Sequence, residues 1–312
     1  MCGMRIDEII ETSADPTFSF EFFPPKTDEA EALLHDALET LRELSPSFVS
    51  VTYGAGGSSR DRTIKVVRNL RVEHGLEAMA HLTCVGATKD EIRTVLGQMR
   101  DAGIDNVLAL RGDPPGGEEK FSPTPGGFAS SPELTALVDE EFPFCVGGAA
   151  YPEPHPDARH DDDDVQTAKA KVEAGAKFLV TQIFYDNSDY FSFVGRLRDE
   201  GIDVPVIPGL MPITSIGQSR GFLKKIGARI PEGYRAELDA REDDPDAIKS
   251  LGISYATLQA AELLAQGAPG IHFITMNRSP ATRAILATLR LHRPWERTPE
   301  SPASTGGQPS LA

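Results

Sequence analysis

Short apolar segments alternate with longer amphipathic segments along most of the chain, and a glycine stands at many of the junctions. Glu73-His74-Gly75 precedes the apolar segment 78–84, and Asp101-Ala102-Gly103 precedes the apolar segment 107–111. Glycine just past the end of a helix is the usual C-terminal cap, because it adopts the left-handed conformation there without a steric penalty. The pattern therefore predicts repeated turns from a helix into a strand, and it recurs at Gly175, Gly201 and Gly267.

Eight apolar segments have the length and spacing expected of β-strands, and most of them are one βα unit apart. Eight parallel strands joined by crossover helices are typical of an α/β protein with a (β/α)8 TIM barrel. An open doubly wound sheet is the alternative fold. The predicted strands lie near residues 18–23, 47–53, 78–84, 106–111, 144–150, 178–184, 204–209 and 270–276.

We expect one catalytic domain, the barrel at residues 17–295, with an N-terminal helical extension at residues 1–16. The segment 212–269 is longer than one crossover helix requires, which predicts extra helices there. The tail 296–312 is rich in Pro, Ser, Thr and Gly, a composition typical of disordered termini. No internal linker indicates a second domain.

One carboxylate lies in a short aromatic strand that two prolines end. In the segment 18–25 (FSFEFFPP), side chains alternate between the two faces of the strand, so Glu21 shares a face with Ser19 and Phe23 and not with the other phenylalanines. A lone charge in such a strand indicates a functional role. A strand-end glutamate that reaches solvent or pairs with an arginine is the structural alternative.

Polar residues stand where the other predicted strands end. The carboxyl ends of the strands of a barrel form one rim, which is where the active sites of barrel enzymes lie. We therefore expect these residues to converge in space, although they are scattered in sequence: Glu21, Thr52, Tyr53, His81, Thr83, Arg111, Asp113, Tyr151, Gln182, Thr275 and Asn277.

Composition and charge narrow the classes of function. The 312 residues include 31 Lys and Arg against 47 Asp and Glu, and the net charge of -16 disfavours binding to nucleic acid or anionic membranes. The three cysteines are too scattered for a disulfide framework or a zinc cluster, and no strand ends in the His-x-His of metal-dependent hydrolase barrels. No segment has signal-peptide character or membrane-spanning length. We expect a cytoplasmic protein without a catalytic metal.

Six ordered motifs together resemble the methylenetetrahydrofolate reductase family, and the resemblance extends from about residue 17 to residue 292. It implies an FAD-containing (β/α)8 barrel that reduces 5,10-methylenetetrahydrofolate to 5-methyltetrahydrofolate with NADH or NADPH by a ping-pong mechanism, supplying methyl groups for methionine synthesis. We also expect a homo-oligomer. The motifs are 18–25 (FSFEFFPP), 50–55 (SVTYGA), 81–84 (HLTC), 109–114 (ALRGDP), 150–155 (AYPEPH) and 181–182 (TQ).

The resemblance also implies roles for particular residues. Glu21 would be the acid that protonates the folate, with a pKa raised by burial and by a nearby Asp113. Asp113 would contact the pterin and tune the flavin, Gln182 would contact substrate and nicotinamide in turn, and Arg278 would lie near the folate tail. The positions implied to hold FAD are Thr52, Tyr53, Ala55, His81, Arg111, Gly112, Asp113, Ala129, Tyr151, His155, Ala158, Asp164 and Lys171.

The chain departs from the family pattern at several positions. Ile216 stands where bacterial relatives carry an aromatic residue that can stack on the ligand, and Thr167 and Ala170 replace more polar residues near FAD. The chain shows no counterpart of the regulatory domain that binds S-adenosylmethionine in animal members, so we expect no such feedback. Two alternatives stay open: a flavin-independent folate reductase with direct hydride transfer, and a folate- or flavin-binding barrel without turnover.

Overall fold

The strands form one parallel sheet in the computed structural model, which describes residues 3–25, 27–53, 60–113, 121–155, 158, 160, 162–278 and 280–296. Its order is β7-β6-β5-β4-β3-β2-β1-β9-β8. The bounds are β1 Thr17–Phe22, β2 Phe48–Val51, β3 Ala78–Thr83, β4 Asn106–Leu110, β5 Cys145–Ala150, β6 Phe178–Thr181, β7 Val206–Ile207, β8 Gly209–Leu210 and β9 Gly270–Ile274.

The two strands at the ends of this order belong to one continuous segment, which closes the barrel. Val206–Ile207 pairs with β6, and Gly209–Leu210 pairs with β9. Pro208 lies between them and has no N–H to donate, but its carbonyl accepts a hydrogen bond from the His272 N–H at 2.9 Å. The predicted seventh strand is therefore present as two short pieces, and the open-sheet alternative is excluded.

Helices surround the barrel in the expected alternation. The five glycines predicted to end helices, Gly75, Gly103, Gly175, Gly201 and Gly267, all have positive φ angles, between 64° and 111°. The helices are α1 Ile6–Thr12, α2 Asp28–Arg42, α3 Arg60–Val72, α4 Lys89–Asp101, α5 Ser131–Glu141, α6 Asp163–Glu173, α7 Asn187–Asp199, α8 Leu223–Ile226, α9 Glu232–Asp239, α10 Pro245–Ala265 and α11 Pro280–His292.

Strand β1 shows the predicted division of its two faces. Phe18, Phe20 and Phe22 are buried in the main core, together with residues of the surrounding helices. Ser19 and Glu21 point the other way, into the barrel, where they meet His81 of β3 and His272 of β9. The strand thus supplies the outer core and the polar interior at the same time.

Helix α1 packs across the amino ends of the strands. Ile6 and Ile9 join a buried cluster that includes Phe48 and Phe178. The Asn106 side chain at the start of β4 accepts a hydrogen bond from the Ile6 N–H at 2.8 Å and donates to the Met4 carbonyl at 3.2 Å. This end of the barrel is closed by apolar packing, so a ligand would enter from the opposite end.

The long segment after β8 contains the predicted extra helices, α8, α9 and α10, and a π-helix at Gln218–Phe222. Its side chains form a second buried cluster together with Ile183, Tyr185 and Ile274, and in it the rings of Tyr234 and Tyr255 stack 3.8 Å apart. The predicted disorder of residues 296–312 falls almost wholly outside the described residues and stays a prediction, as do the domain boundaries. Among the described helices, none combines the length and the apolar character that crossing a membrane requires.

Helix α10 packs so closely on the chain after β8 that one position requires glycine. A Cβ atom at Gly252 would lie 1.7 Å from the Ile213 carbonyl oxygen, whereas a Cβ atom at Gly97 in α4 would meet nothing within 4 Å. We predict that Gly252→Ala lowers the free energy of unfolding by roughly 1–3 kcal/mol or more. Gly97→Ala, the matched control in a helix interior, should raise it by about 0.5–1 kcal/mol. Urea unfolding of both variants checks this, and equal effects would contradict the close packing.

Candidate active site

A cavity of about 830 Å³ opens at the carboxyl ends of the strands. Most residues expected at one rim from the sequence line it together: Glu21, Thr52, Tyr53, His81, Thr83, Arg111, Asp113, Tyr151 and Gln182. The residues implied to hold FAD also line it as far as they are described, since Gly112, Ala129, His155, Ala158, Asp164 and Lys171 belong to the same wall. Ala55 lies outside the described residues.

Glu21 lies at the floor of this cavity, and its side chain is 15% exposed. One carboxylate oxygen is 3.7 Å from His81 Nε2 and 3.6 Å from His272 Nε2. His272 in turn is held on both sides, with Nδ1 2.7 Å from Ser19 Oγ and Nε2 3.2 Å from Ser50 Oγ. The acid is therefore embedded in a polar cluster that four strands contribute.

The pKa of Glu21 is lowered in the ligand-free protein, and the expected increase is wrong. Burial raises the pKa, but hydrogen bonding to His272 and the positive charge that His81 and His272 can carry lower it by more. Burial in turn lowers the pKa of His81 to about 4, although the charge of Glu21 opposes this shift. Asp113, expected to raise the pKa of Glu21, is exposed at the rim.

Sequence reasoning missed His272. It stands in the apolar strand Gly270–Ile274, which reads as a core strand, and its side chain is only 1% exposed. The pairing register places it directly beside Ser19, with Glu21 two residues further along β1. A histidine that breaks an apolar run was the available signal, but only the register shows which side chains it meets.

A group of positive and aromatic side chains forms another part of the wall. The buried Lys171 amine donates to the Ala149 carbonyl at 2.6 Å and lies 5.9 Å from the centre of the Tyr151 ring. The pKa of Lys171 is lowered to about 8, because burial lowers it strongly, Asp164 raises it in part and Arg111 adds a smaller lowering. Lys171 and Arg111 can each meet an anionic group of a ligand in this part of the wall, while Glu21, Asp113, Asp163 and Asp164 line the same cavity.

A glycine lets the chain turn between Arg111 and Asp113. Gly112 has a φ angle of 88°, and a Cβ atom there would lie 2.5 Å from Val85 Cγ1. Only glycine fits both restraints. The turn brings the guanidinium of Arg111 and the carboxylate of Asp113 to the same cavity.

The remaining predicted positions differ in their placement. Gln182 lines the cavity, and its Oε1 accepts a hydrogen bond from the Ile183 N–H at 2.9 Å. Thr167 and Ala170 line it as well. Arg278 is exposed and is not part of the cavity wall.

Ile216, one of the positions expected to affect ligand stacking, does not line the cavity. Ile216 is half-buried against the cluster of the helices after β8. Ile226 and Phe23, which sequence reasoning did not select, line the cavity instead. They add to the apolar part of the wall, to which Leu110, Ile183 and Ile274 also belong.

An acid held among imidazoles at the floor, and cations on the wall, at the carboxyl end of a closed parallel barrel define a (β/α)8-barrel enzyme. The sequence profile of the family described as methylenetetrahydrofolate reductase matches residues 5–290. The chain belongs to this family and is an oxidoreductase of this kind.

Individual relatives agree with this assignment. The chain is 39% identical over 281 residues to 5,10-methylenetetrahydrofolate reductase of Escherichia coli (strain K12), covering 90% of this chain and 93% of that protein. It is 37% identical over 302 residues to methylenetetrahydrofolate reductase (NADH) 1 of Arabidopsis thaliana, covering 92% of this chain and 50% of that longer protein.

A solved structure shares the fold. It is described as an uncharacterized protein from Clostridium thermocellum that binds two copies of 5-methyl-5,6,7,8-tetrahydrofolic acid. The TM-score is 0.63 at 19% identity, with 94% of this chain and 99% of that chain covered. At this identity the similarity supports the barrel fold.

The buried lysine makes the stability of the ligand-free protein depend on pH. The pKa of Lys171 is about 8 in the folded protein against 10.5 for an ordinary lysine, so between these values the unfolded chain binds more protons. Stability should therefore rise from about pH 8 to pH 10.5, by about 3 kcal/mol more in the wild type than in Lys171→Met. Urea unfolding across this range measures the difference.

Lys177→Met is the matched control, because the Lys177 side chain is 40% exposed and its amine lies 3.5 Å from Asp139. It should leave the pH dependence of the wild type in place. Identical pH dependence in the wild type and Lys171→Met would show that the Lys171 amine is not desolvated.

Proposed function

We propose that the protein reduces 5,10-methylenetetrahydrofolate to 5-methyltetrahydrofolate with bound FAD, using NADH or NADPH as reductant in a ping-pong mechanism. The single observation that carries this proposal is the cavity itself. It combines a buried carboxylic acid at its floor with cations and aromatic rings on its wall. Membership of the family supports the substrate, and the cavity supports the way in which the residues would act on it.

The residues present fit FAD. His81 Nε2 and Thr83 Oγ1 are buried and have no hydrogen-bond partner among the described residues, and both side chains line the cavity. Buried polar atoms of this kind are normally satisfied, and a bound heterocycle can satisfy them. Lys171 and Arg111 supply positive charge of the kind that a pyrophosphate requires.

The residues that would hold FAD come from the ends of several strands and from α6. When bound, FAD supplies the hydride chemistry, which no amino acid side chain provides. The protein supplies the positions: Thr52, Tyr53, Ala55, His81, Arg111, Gly112, Asp113, Ala129, Tyr151, His155, Ala158, Asp164 and Lys171. Among these, Asp164 links α6 to the backbone at His155, since its carboxylate accepts a hydrogen bond from the His155 N–H at 2.9 Å.

Glu21 would act as the general acid. It donates a proton to the bridging nitrogen of the folate, the carbon–nitrogen bond of the five-membered ring breaks, and the electron pair stays on that nitrogen. The iminium left on the other nitrogen would accept at its carbon the hydride that originates from NADH or NADPH and that bound FAD would supply; its π electrons would return to the nitrogen, and the carbon would become the methyl group. This role fits a carboxylic acid at the floor of a slot that a flat substrate covers.

Because its pKa is lowered, Glu21 is ionised at neutral pH, so a further effect must raise the pKa before this residue can donate a proton. The Glu21 side chain keeps 15% of its surface exposed, and a substrate lying over it would remove that remaining water. Desolvation disfavours the charged form and raises the pKa of a carboxyl group. We therefore expect protonation of Glu21 to be coupled to folate binding.

Three further residues would recognise the ligands. Asp113 at the rim would contact the pterin and disfavour negative charge on the adjacent flavin ring, and Gln182 would contact folate and nicotinamide in succession. Arg278, which is exposed in the turn after β9, would meet the negatively charged folate tail. One slot that takes both ligands in turn leads to ping-pong kinetics. We further propose a cytoplasmic homo-oligomer that supplies methyl groups for methionine synthesis.

The first test is the colour of the protein. We predict that it purifies with non-covalently bound FAD, because the cavity offers buried unsatisfied polar atoms and two cations. Absorbance spectra before and after heat release of the cofactor measure this directly. A colourless preparation that acquires no flavin spectrum on incubation with FAD would contradict the proposal and favour direct hydride transfer from nicotinamide.

The second test separates the two half-reactions through Glu21. Reduction of the flavin by a nicotinamide needs no proton on the folate side, so Glu21→Gln should change its rate by less than about threefold. Loss of the acid should slow the folate half-reaction by roughly 10²–10⁴-fold. Stopped-flow absorbance measures both rates.

Glu200→Gln is the control for loss of a carboxylate, because Glu200 pairs with Lys169 at 2.8 Å and does not line the cavity. A folate half-reaction of Glu21→Gln within about threefold of the wild type would show that another group donates the proton. The wild-type rate should also fall as pH rises, since only the protonated acid reacts, whereas Glu21→Gln should lose this dependence.

A further inference from the structure

The turn after β9 contains two consecutive residues in an unfavourable backbone conformation. Met276 and Asn277 have φ angles of 52° and 56°, in the left-handed region that residues other than glycine and asparagine rarely adopt, so the strain lies mainly at Met276. Strain of this kind persists where surrounding contacts hold it, and it concentrates at functional sites. The hydrogen bonds of this turn stabilise its conformation and attach it to the end of β1.

The side chain of Asn277 makes a pair of hydrogen bonds to the backbone of one residue. Its Oδ1 accepts the Phe23 N–H at 2.8 Å, and its Nδ2 donates to the Phe23 carbonyl at 2.9 Å. Thr275 Oγ1 donates to the Glu21 carbonyl at 2.6 Å and accepts the Asn277 N–H at 3.2 Å. The turn therefore grips the end of β1 at Glu21 and again at Phe23.

The end of β1 depends on these side-chain hydrogen bonds, because the sheet does not continue there. The strand ends at Phe22, and Pro24 and Pro25 have no N–H with which to extend the ladder. The carboxamide of Asn277 takes the place of a neighbouring strand at Phe23. Both side chains fixed in this way, the acid of Glu21 and the ring of Phe23, face the cavity.

We propose that Asn277 is a positioning residue for the folate half-reaction. Its carboxamide fixes the Phe23 ring as the aromatic wall beside Glu21 and, together with Thr275, fixes the direction in which the Glu21 carboxyl points. The inference rests on the proposed function, because it assigns Glu21 the proton transfer. Proton transfer requires close alignment, and a displacement of about 1 Å can cost 10²-fold in rate.

Asn277→Gly tests this role without disturbing the backbone conformation. Glycine adopts a positive φ angle without penalty, so the turn can persist while both hydrogen bonds to Phe23 are lost. At saturating ligand, the folate half-reaction should slow by roughly 10- to 100-fold, and flavin reduction by NADH or NADPH should change by less than about threefold. The Phe23 amide should also exchange its hydrogen faster, which a mass-spectrometric exchange measurement on the peptide containing β1 detects.

Ser45→Gly is the matched control. Ser45 also has a positive φ angle, of 44°, but it lies in the connection between α2 and β2 and does not line the cavity. This substitution has the same effect on the backbone and should leave both half-reactions unchanged. A general effect of glycine on stability would appear in both variants, whereas loss of positioning would appear only in Asn277→Gly.

Combining Asn277→Gly with Glu21→Gln shows whether the asparagine acts through the acid. If it does, the rate losses in the folate half-reaction should not add, because the double variant has no acid left to position. An Asn277→Gly folate half-reaction within about threefold of the wild type would overturn the inference, and so would fully additive losses. Failure of the wild-type protein to reduce 5,10-methylenetetrahydrofolate would instead overturn the proposed function.

Discussion

A carboxylate inside a barrel has to be compensated, and the interior of this protein is organised around that requirement. Glu21 lies in the barrel with His81 and His272 within 4 Å, and Ser19 and Ser50 hold the second imidazole. An isolated buried charge is costly, whereas one surrounded by polar groups can persist. The polar floor of the cavity is the consequence, and the hydrophobic cores lie outside the strands and at their amino ends.

The same strand ties the acid to the core. Because side chains alternate, the register that points Glu21 inward also buries Phe18, Phe20 and Phe22 against the helices. A slip of one residue would place the phenylalanines in the cavity and the charge in the core, so folding stability enforces the orientation of the acid. The strained turn at Met276 and Asn277 then fixes the last residues of the strand.

Charge is divided between the surface and the site. The chain as a whole carries -16, and its cavity combines carboxylates with the cations Lys171 and Arg111. Burial, with a smaller contribution from Arg111, lowers the pKa of the lysine. Burial disfavours the charged form of Lys171, and an anionic group of a ligand placed beside it would favour that form. The acid at the floor and the cations on the wall thus suit a ligand with an anionic end and a flat reacting end.

The fold was predictable because its signals are local. Apolar runs of strand length and glycines that cap helices predicted the eight-strand rhythm, and those glycines have the left-handed conformation expected of them. Features that depend on register or tertiary packing were not predictable. His272 reads as part of a core strand until its neighbour Ser19 is known, and the direction of the Glu21 pKa depends on two imidazoles from other strands. Likewise, the packing of the helices after β8 determines that Ile226, and not Ile216, lines the cavity.

The most direct measurement is an anaerobic titration of the purified protein in two stages, followed by flavin absorbance. We expect NADH or NADPH alone to bleach the flavin, and 5,10-methylenetetrahydrofolate, added after the nucleotide has been removed, to restore its colour and yield 5-methyltetrahydrofolate. Bleaching that requires both ligands together, or product formed while the flavin stays oxidised throughout, would contradict a single cavity that serves the two ligands in turn.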